Sequence, residues 1–405
     1  MKLPYALQQA KVVFLTGAGA SAPLGLPTTA KFLSDFAAQG VRQRLPNADA
    51  PFYDFIVDRL HVSNGPDIEY VLARLERDAS WADAAASDPL FLRSSVSQFQ
   101  GTLAAAEGHP LVIDGVMKAL GGDLQQALMW FKSANDRLAG VIYDEVIDRY
   151  GQVDEKQAVA LYRDLLGHFA DFFATEFDCG LTIPFFTLNY DIAVEQAAGG
   201  LGLEVEDGFV RSTVGRRWSA ESYTEYVEKP GCPTVMLIKL HGSVRLARNG
   251  VGQLVEVPPG LDRDPSPNRH VVLYPSLTPK PLSEDPFRTN YALLRGCLRH
   301  AVLLVVIGCS LRDVELNNLL RDCMEDNDRL HLLAVGPEAD YKDIAERIGC
   351  SSSRVGGAQG CFAIEDPGIV DAGQGQMINM LRRWMAATAN EGPHQFGSNV
   401  IFSKS

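Results

Sequence analysis

The sequence predicts an α/β protein: a parallel sheet with helices on both faces, interrupted by a large, mostly helical insert. Three observations predict it. Four apolar runs rich in β-branched residues end in short turns of small and polar residues: Thr16-Gly17-Ala18-Gly19-Ala20-Ser21, Thr187-Leu188-Asn189-Tyr190-Asp191, Lys239-Leu240-His241-Gly242-Ser243 and Ile307-Gly308-Cys309-Ser310-Leu311. The run 301–307 is apolar throughout, the pattern of a strand buried on both faces of a parallel sheet. Between the first run and the second, the apolar period switches from that of a strand to that of a helix. The four turns fall at the carboxyl ends of strands, where open α/β sheets bind ligands.

In chain order, 11–16 reads as the first strand. A helix is expected from about Thr28 or Thr29 to Gln39, with Phe32, Leu33 and Phe36 on one face, Pro27 ahead and Gly40 behind. From 45 to 178 apolar residues recur at helical spacing, as in Ile68, Val71, Leu72 and Leu75, or Leu161, Leu165, Phe169, Phe172 and Phe173. The sheet pattern resumes with a strand at 182–187 and a helix at 191–198. Further strands are expected at 235–240, 271–274, 301–307 and 330–335, and helices at 313–326 and 377–387. Residues 388–405 lack periodicity and read as a tail or an arm.

The chain has 405 residues, 46% hydrophobic and 21% charged, enough to bury a large core. A net charge of −13 opposes binding to phosphate backbones, so direct nucleic-acid binding is not expected. Arg211, Arg216 and Arg217 read as a solvated loop or a local basic patch. Seven cysteines, none in a Cys-x-x-Cys pair, signal neither a disulfide framework nor a zinc site. No signal peptide is evident, and the run 301–307 is too short to span a bilayer. The expected home is a reducing cytoplasm, with no membrane association.

Gly17-x-Gly19, after a strand and before a helix, is half of a dinucleotide fingerprint. Gly17 permits a tight turn, Gly19 lets backbone approach a pyrophosphate, and a helix N-terminus offers N–H donors. The same pattern also serves as a plain structural turn. The third glycine is displaced, Ala22 standing in its place with Gly25 beyond, and no acidic residue ends a second strand downstream. A hydride-transferring enzyme is therefore not indicated. Asn189 and Asp191 are alternate residues at a strand end, able to face one cleft, or to cap the next helix. His241 ends a strand beside a glycine, as a structural residue or as a proton acceptor working near neutral pH. Gly308-Cys309-Ser310 lets a ribose or adenine lie against backbone, or is a simple turn in which Ser310 caps the following helix. Cys309 reads as a small filler rather than a nucleophile.

Together and in this order the motifs resemble the sirtuin superfamily, whose signature is a Gly-Ala-Gly-x-Ser loop, a Thr-x-Asn-x-Asp strand end, a His before Gly, and an Ile-Gly-x-Ser-Leu turn. The resemblance implies a Rossmann-like, sirtuin-like NAD-binding domain from 1–44 and 179–387, a helical insert at 45–178 and the tail at 388–405. It implies NAD as substrate. Ala18, Gly19 and Ser21 hold its phosphates and neighbouring ribose, and Gly17, Thr187 and Gly308 belong to the same binding set. Asn189 contacts the nicotinamide ribose and positions the attacking group. Asp191 binds the carboxamide, His241 is the general base, and Ser310 meets the adenosine ribose.

Two departures matter. Deacylases of this superfamily carry a four-cysteine zinc module after the catalytic His, yet 244–274 holds no cysteine, so no zinc is expected. They also follow the glycine loop with Pro-Asp-Phe-Arg, where this chain has Pro27-Thr28-Thr29-Ala30. The pattern is similar to the sirtuin-like NAD hydrolases of prokaryotic anti-phage defence. The expected activity is an NAD glycohydrolase releasing nicotinamide and ADP-ribose, in a homo-oligomer with a HerA-type ATPase as partner. The alternatives are an NAD-dependent deacylase or ADP-ribosyltransferase, or a non-catalytic NAD or ADP-ribose sensor assembling through its insert.

Overall fold

The computed structural model describes residues 3–28, 32, 68–87, 124–167, 181–213, 215–229, 231–257, 270–272, 282–336, 341–350 and 355–359. Strands β1 (Val12–Thr16), β2 (Thr182–Thr187), β3 (Glu204–Glu206), β6 (Thr234–Lys239), β10 (Leu303–Ile307), β11 (His331–Gly336) and β12 (Val355–Gln359) form one sheet. Its order is β12-β11-β10-β1-β2-β6-β3, and every pairing is parallel. The strands alternate their side chains between two cores, as the period of two dictates. On one face Val13, Leu15, Phe186, Met236, Ile238, Leu304 and Val306 pack on α1 (Tyr5–Gln8), α8 (Phe287–Leu298), α9 (Val314–Asp326) and α10 (Tyr341–Ile348). On the other, Val12, Phe14, Ile183, Phe185, Leu237, Val305 and Ile307 pack on α5 (Glu155–Tyr162) and α6 (Ala193–Gly200). The α/β class, with helices on both faces, is therefore as expected. Pro184 is tolerated inside β2 because β1 begins to pair only at Phe185.

A second, antiparallel sheet joins β4 (Phe209–Ser212), β5 (Gly215–Trp218), β7 (Gly242–Arg248), β8 (Leu254–Glu256) and β9 (His270–Val272) in the order β4-β5-β8-β7-β9. Only part of its last strand was expected from sequence. Arg216, read there as belonging to a loop or basic patch, lies in β5. It pairs with Asp207 at 2.6 Å and Glu256 at 3.2 Å and stands over the ring of Phe209. The short helix α7 (Ala220–Thr224) follows, and buries Tyr223 against β6.

The described part of 45–178 is helical. Helices α3 (Ile68–Ser87) and α4 (Leu124–Gly151) pack against each other, and α4 also packs on β7. Asp154 caps α5 by accepting from the Gln157 N–H at 2.9 Å. Among the described residues no helix is long and apolar enough to cross a membrane. The expected helices at 28–39 and 377–387 and the tail at 388–405 lie outside the described residues, apart from Thr28 and Phe32; the Phe32 N–H donates to Thr28 O at 2.9 Å, and the Phe32 ring is buried against Tyr150.

Candidate active site

Four strand ends stand level. In the register Ile307 is beside Thr16, Thr16 beside Thr187, and Thr187 beside Lys239, so the four motif turns leave the sheet side by side along one carboxyl rim. The first and last of them interlock. The Gly17 N–H donates to Ile307 O at 2.9 Å and the Gly19 N–H to Gly308 O at 2.8 Å. A Cβ on Gly17 would lie 2.7 Å from Cys309 Cα, one on Gly19 2.8 Å from Gly308 O, and one on Gly308 2.2 Å from Ala20 N. Gly308 also has a φ of 60°, which favours glycine. The close approach that these glycines permit is therefore to one another's backbone. Helix α2 (Ala18–Ser21) starts directly on Gly17, and of its first N–H groups those of Gly19 and Ala20 are already engaged within the turns.

Asn189 is tied to this floor. Its Nδ2 donates to Gly17 O and to Ser21 Oγ, both at 3.0 Å. Because Gly17 O can only accept, the amide nitrogen must face it, which leaves Oδ1 as the side chain's acceptor. Thr187 helps from below: it accepts from the Asn189 N–H at 3.0 Å and from the Thr16 hydroxyl at 2.8 Å. Asp191 stands one residue before the N-cap of the next helix, which is Ile192; its Oδ1 accepts from the Ala193 N–H at 2.9 Å, and α6 starts two residues later than the sequence suggested. Its Oδ2 is buried and has no hydrogen-bond partner among the described residues. A carboxylate oxygen in that condition is an acceptor awaiting a donor. Tyr162 closes this side. Burial, then the charge of Asp191, push its hydroxyl above the usual phenol range, so it stays protonated.

His241 sits between β6 and β7, with 3% of its surface exposed. Its Nε2 is 2.9 Å from Asp313 Oδ2 and 3.3 Å from the Tyr291 hydroxyl. Asp313 is the N-cap of α9, accepting from the Leu316 N–H at 3.1 Å with its other oxygen. Ser310 is not that cap; its side chain belongs to an exposed residue, and its carbonyl accepts from Arg347 Nη1 at 2.7 Å. Between them Leu311 holds a φ of 49°, a strained conformation for a branched residue, steadied by Asn317 Nδ2 donating to its carbonyl at 2.8 Å. Sequence reading placed Asp313 only at a helix start and did not single out Tyr291. The one local signal was an acid at the head of a helix, which caps supply routinely.

Lys239 completes the rim beneath Asp191. It pairs with Glu195 at 2.7 Å and donates to the Asp191 carbonyl. Burial raises the Glu195 carboxyl above its ordinary value, and Lys239 only partly offsets this. Lys239, Gly242 and Ser243, the residues around His241, line a pocket of ≈ 430 Å³, measured to its open mouth, with Glu195, Arg245 and Asn290. Asn189, Asp191 and His241 do not line it, so these three side chains and this recess are neighbours rather than one cavity. Among the described residues no group of His, Cys, Asp and Glu is placed to hold a metal ion.

The rim thus has the makings of a nucleotide site of the kind the motifs resemble, and residues 184–351 match the family model of the SIR2-like domain. That stretch runs from β2 past α10 and holds Asn189, Asp191, His241, Gly308 and Ser310, while the glycine loop precedes it. The match is to that domain, over less than half of the chain. No curated protein matches the chain. Among solved structures, a mutant Sir2 homologue in complex with 2′-O-acetyl ADP ribose is similar at 12% identity. It covers 94% of this chain and 95% of its own, with a TM-score of 0.39. A second mutant Sir2 homologue, in complex with ADP ribose, is similar at 13% identity, covering 94% and 96%, with a TM-score of 0.38.

Proposed function

We propose that the chain is an NAD glycohydrolase: it cleaves the bond between nicotinamide and ribose, giving nicotinamide and ADP-ribose. The observation that carries this reading is Asp191 Oδ2, without a hydrogen-bond partner among the described residues and buried beside an asparagine whose Oδ1 is its remaining acceptor, one strand from a buried histidine. Asp191 Oδ2 suits the amide N–H of a carboxamide. Asn189 Oδ1 suits a water or a ribose hydroxyl. Cleavage breaks the C1′–N bond with its electron pair leaving on the pyridine nitrogen, through a transition state of oxocarbenium character. Water then bonds to C1′, and its proton passes to His241. Gly17, Ala18, Gly19, Ser21, Thr187, Gly308 and Ser310 form the binding set for the rest of the dinucleotide. Ser21 and Thr187 act through Asn189, which they hold.

The stretch after His241 supports hydrolysis over peptide deacylation. It enters β7 of the antiparallel sheet, and 244–274 has no cysteine with which to build a zinc module. The domain division proposed is the sheet domain of 1–44 and 179–387 carrying the helical insert of 45–178. The proposed role is NAD depletion in anti-phage defence, as a homo-oligomer with a HerA-type ATPase. Incubation of the purified chain with NAD, alone and with such a partner, tests the activity by release of nicotinamide and ADP-ribose in equal amounts. Turnover that requires an acyl-lysine peptide, or ADP-ribose recovered on protein, would replace hydrolysis by transfer. Binding without turnover would leave a sensor.

A further inference from the structure

We propose that Asp313, reinforced by Tyr291, fixes the tautomer of His241 so that Nδ1, not Nε2, is the nitrogen that takes the proton. The proposal rests on the cleavage reading given above and adds a positioning residue to it. The geometry runs in three steps. An ionised carboxylate only accepts, so the nitrogen 2.9 Å from Asp313 Oδ2 must carry hydrogen. That nitrogen is Nε2, and a neutral imidazole with Nε2–H has its lone pair on Nδ1. The carboxylate cannot swing away, because Oδ1 is engaged by the Leu316 N–H at 3.1 Å at the head of α9, where the helix dipole also favours its charge.

Tyr291 bears on the same oxygen. Its hydroxyl is 3.4 Å from Asp313 Oδ2 and 3.3 Å from His241 Nε2. Burial, followed by the charge of Asp313, raises this phenol above its usual range, so it stays protonated and donates to that oxygen. The side chains of His241 and Asp313 are 4% and 6% exposed, so water does not compete for the contact. Proton acceptance at Nδ1 leaves an imidazolium with both nitrogens protonated, and Asp313 stabilises it across the ring. The balance is that of the hydrolysis itself: the water proton leaves oxygen for Nδ1 as the C1′–O bond forms.

Asp313→Asn separates this role from helix capping. Asparagine caps a helix as well as aspartate does. With its oxygen kept by the Leu316 N–H, its NH₂ group faces the ring and forces hydrogen onto Nδ1. Expected is a folded protein with an unchanged melting temperature, KM within about threefold, and kcat lower by on the order of 10²–10⁴-fold, the effect of a wrong tautomer. Asp313→Ser, which caps without reaching the ring, is expected to lose kcat similarly. Nitrogen-15 chemical shifts of His241 should show Nε2–H in the wild type and Nδ1–H in Asp313→Asn. A wild-type ring protonated at Nδ1 overturns the inference. Full kcat in a folded Asp313→Asn also overturns it, and leaves the cleavage reading intact. A wild-type chain releasing no nicotinamide, with its ring protonated on Nε2, overturns the cleavage reading and the catalytic consequence drawn here, and shows by the shifts that the ring geometry itself was right.

Discussion

The Tyr150 hydroxyl donates to the carbonyl of Pro27 at 2.7 Å, joining the last turn of α4 to the chain that leaves the glycine loop. The same ring meets Tyr190 edge-on at 6.2 Å and stacks on Phe32. Tyr190 lies between Asn189 and Asp191, so the end of this helix braces both. Tyr150→Phe removes one buried hydrogen bond and is expected to cost about 1 kcal/mol while turnover stays within a few-fold. Tyr150→Ala removes the brace and is expected to lower kcat at least about tenfold, as small misplacements of reacting groups do. Denaturant titration and NAD turnover of the two variants check this; equal activity in both would detach α4 from the site.

Asn189→Ala and His241→Ala should each abolish nicotinamide release in a protein that remains folded. Asn189→Ala also strips the hydrogen-bond donor from the buried acceptors Gly17 O and Ser21 Oγ, so a stability loss of about 1–3 kcal/mol is expected. Circular dichroism with a denaturant midpoint, beside a nicotinamide assay, separates the two effects. Wild-type turnover in either variant removes that residue from the mechanism.

Two glycines with positive φ offer a controlled comparison. Gly308→Ala places a Cβ 2.2 Å from Ala20 N, whereas Gly25, with φ 76°, has nothing within 4 Å of its Cβ position. Gly25→Ala should cost only the conformational term of roughly 1–2 kcal/mol. Gly308→Ala adds a backbone clash, and roughly 2–5 kcal/mol is expected. Equal midpoints for the two variants would contradict the interlocking of the turns.

The Glu195 carboxyl, raised by burial, gives a pH signature. A carboxyl whose folded pKa exceeds its unfolded one binds its proton more tightly when folded. The stability it contributes is therefore greatest at low pH and falls as pH rises through the window that opens at its ordinary value of 4.5. Against Glu195→Gln, which does not titrate, the wild type should lose relative stability as pH climbs from about 4.5. Denaturant midpoints of both proteins across that range measure the slope, and a flat or rising difference contradicts it.

The strands legible in the sequence are those buried on both faces. Val12 to Thr16, Thr182 to Thr187 and Leu303 to Ile307 are apolar for packing reasons that no neighbour alters. Strands β3 and β4 were not legible, because they are short and largely exposed. Glu204-Val205-Glu206 and Phe209-Val210-Arg211-Ser212 carry the charges of a surface and owe their extension to their pairing, β3 with β6 and β4 with β5. Strand β12, Val355 to Gln359, contains two glycines and no run of bulky residues. The motif turns were read correctly as neighbours on one rim, since a parallel sheet allows them little else. Asp313 and Tyr291 escaped notice because their bearing on His241 comes from α8 and α9 crossing the same core, which no local pattern records.

Because Gly17, Gly19 and Gly308 press main chain directly on main chain, the base of the site contains almost nothing that mutation can resculpt without collapse. Under the proposed cleavage, adaptation to a different nucleoside or leaving group has to be written in the surrounding side chains, leaving this bed as a fixed template on which they vary.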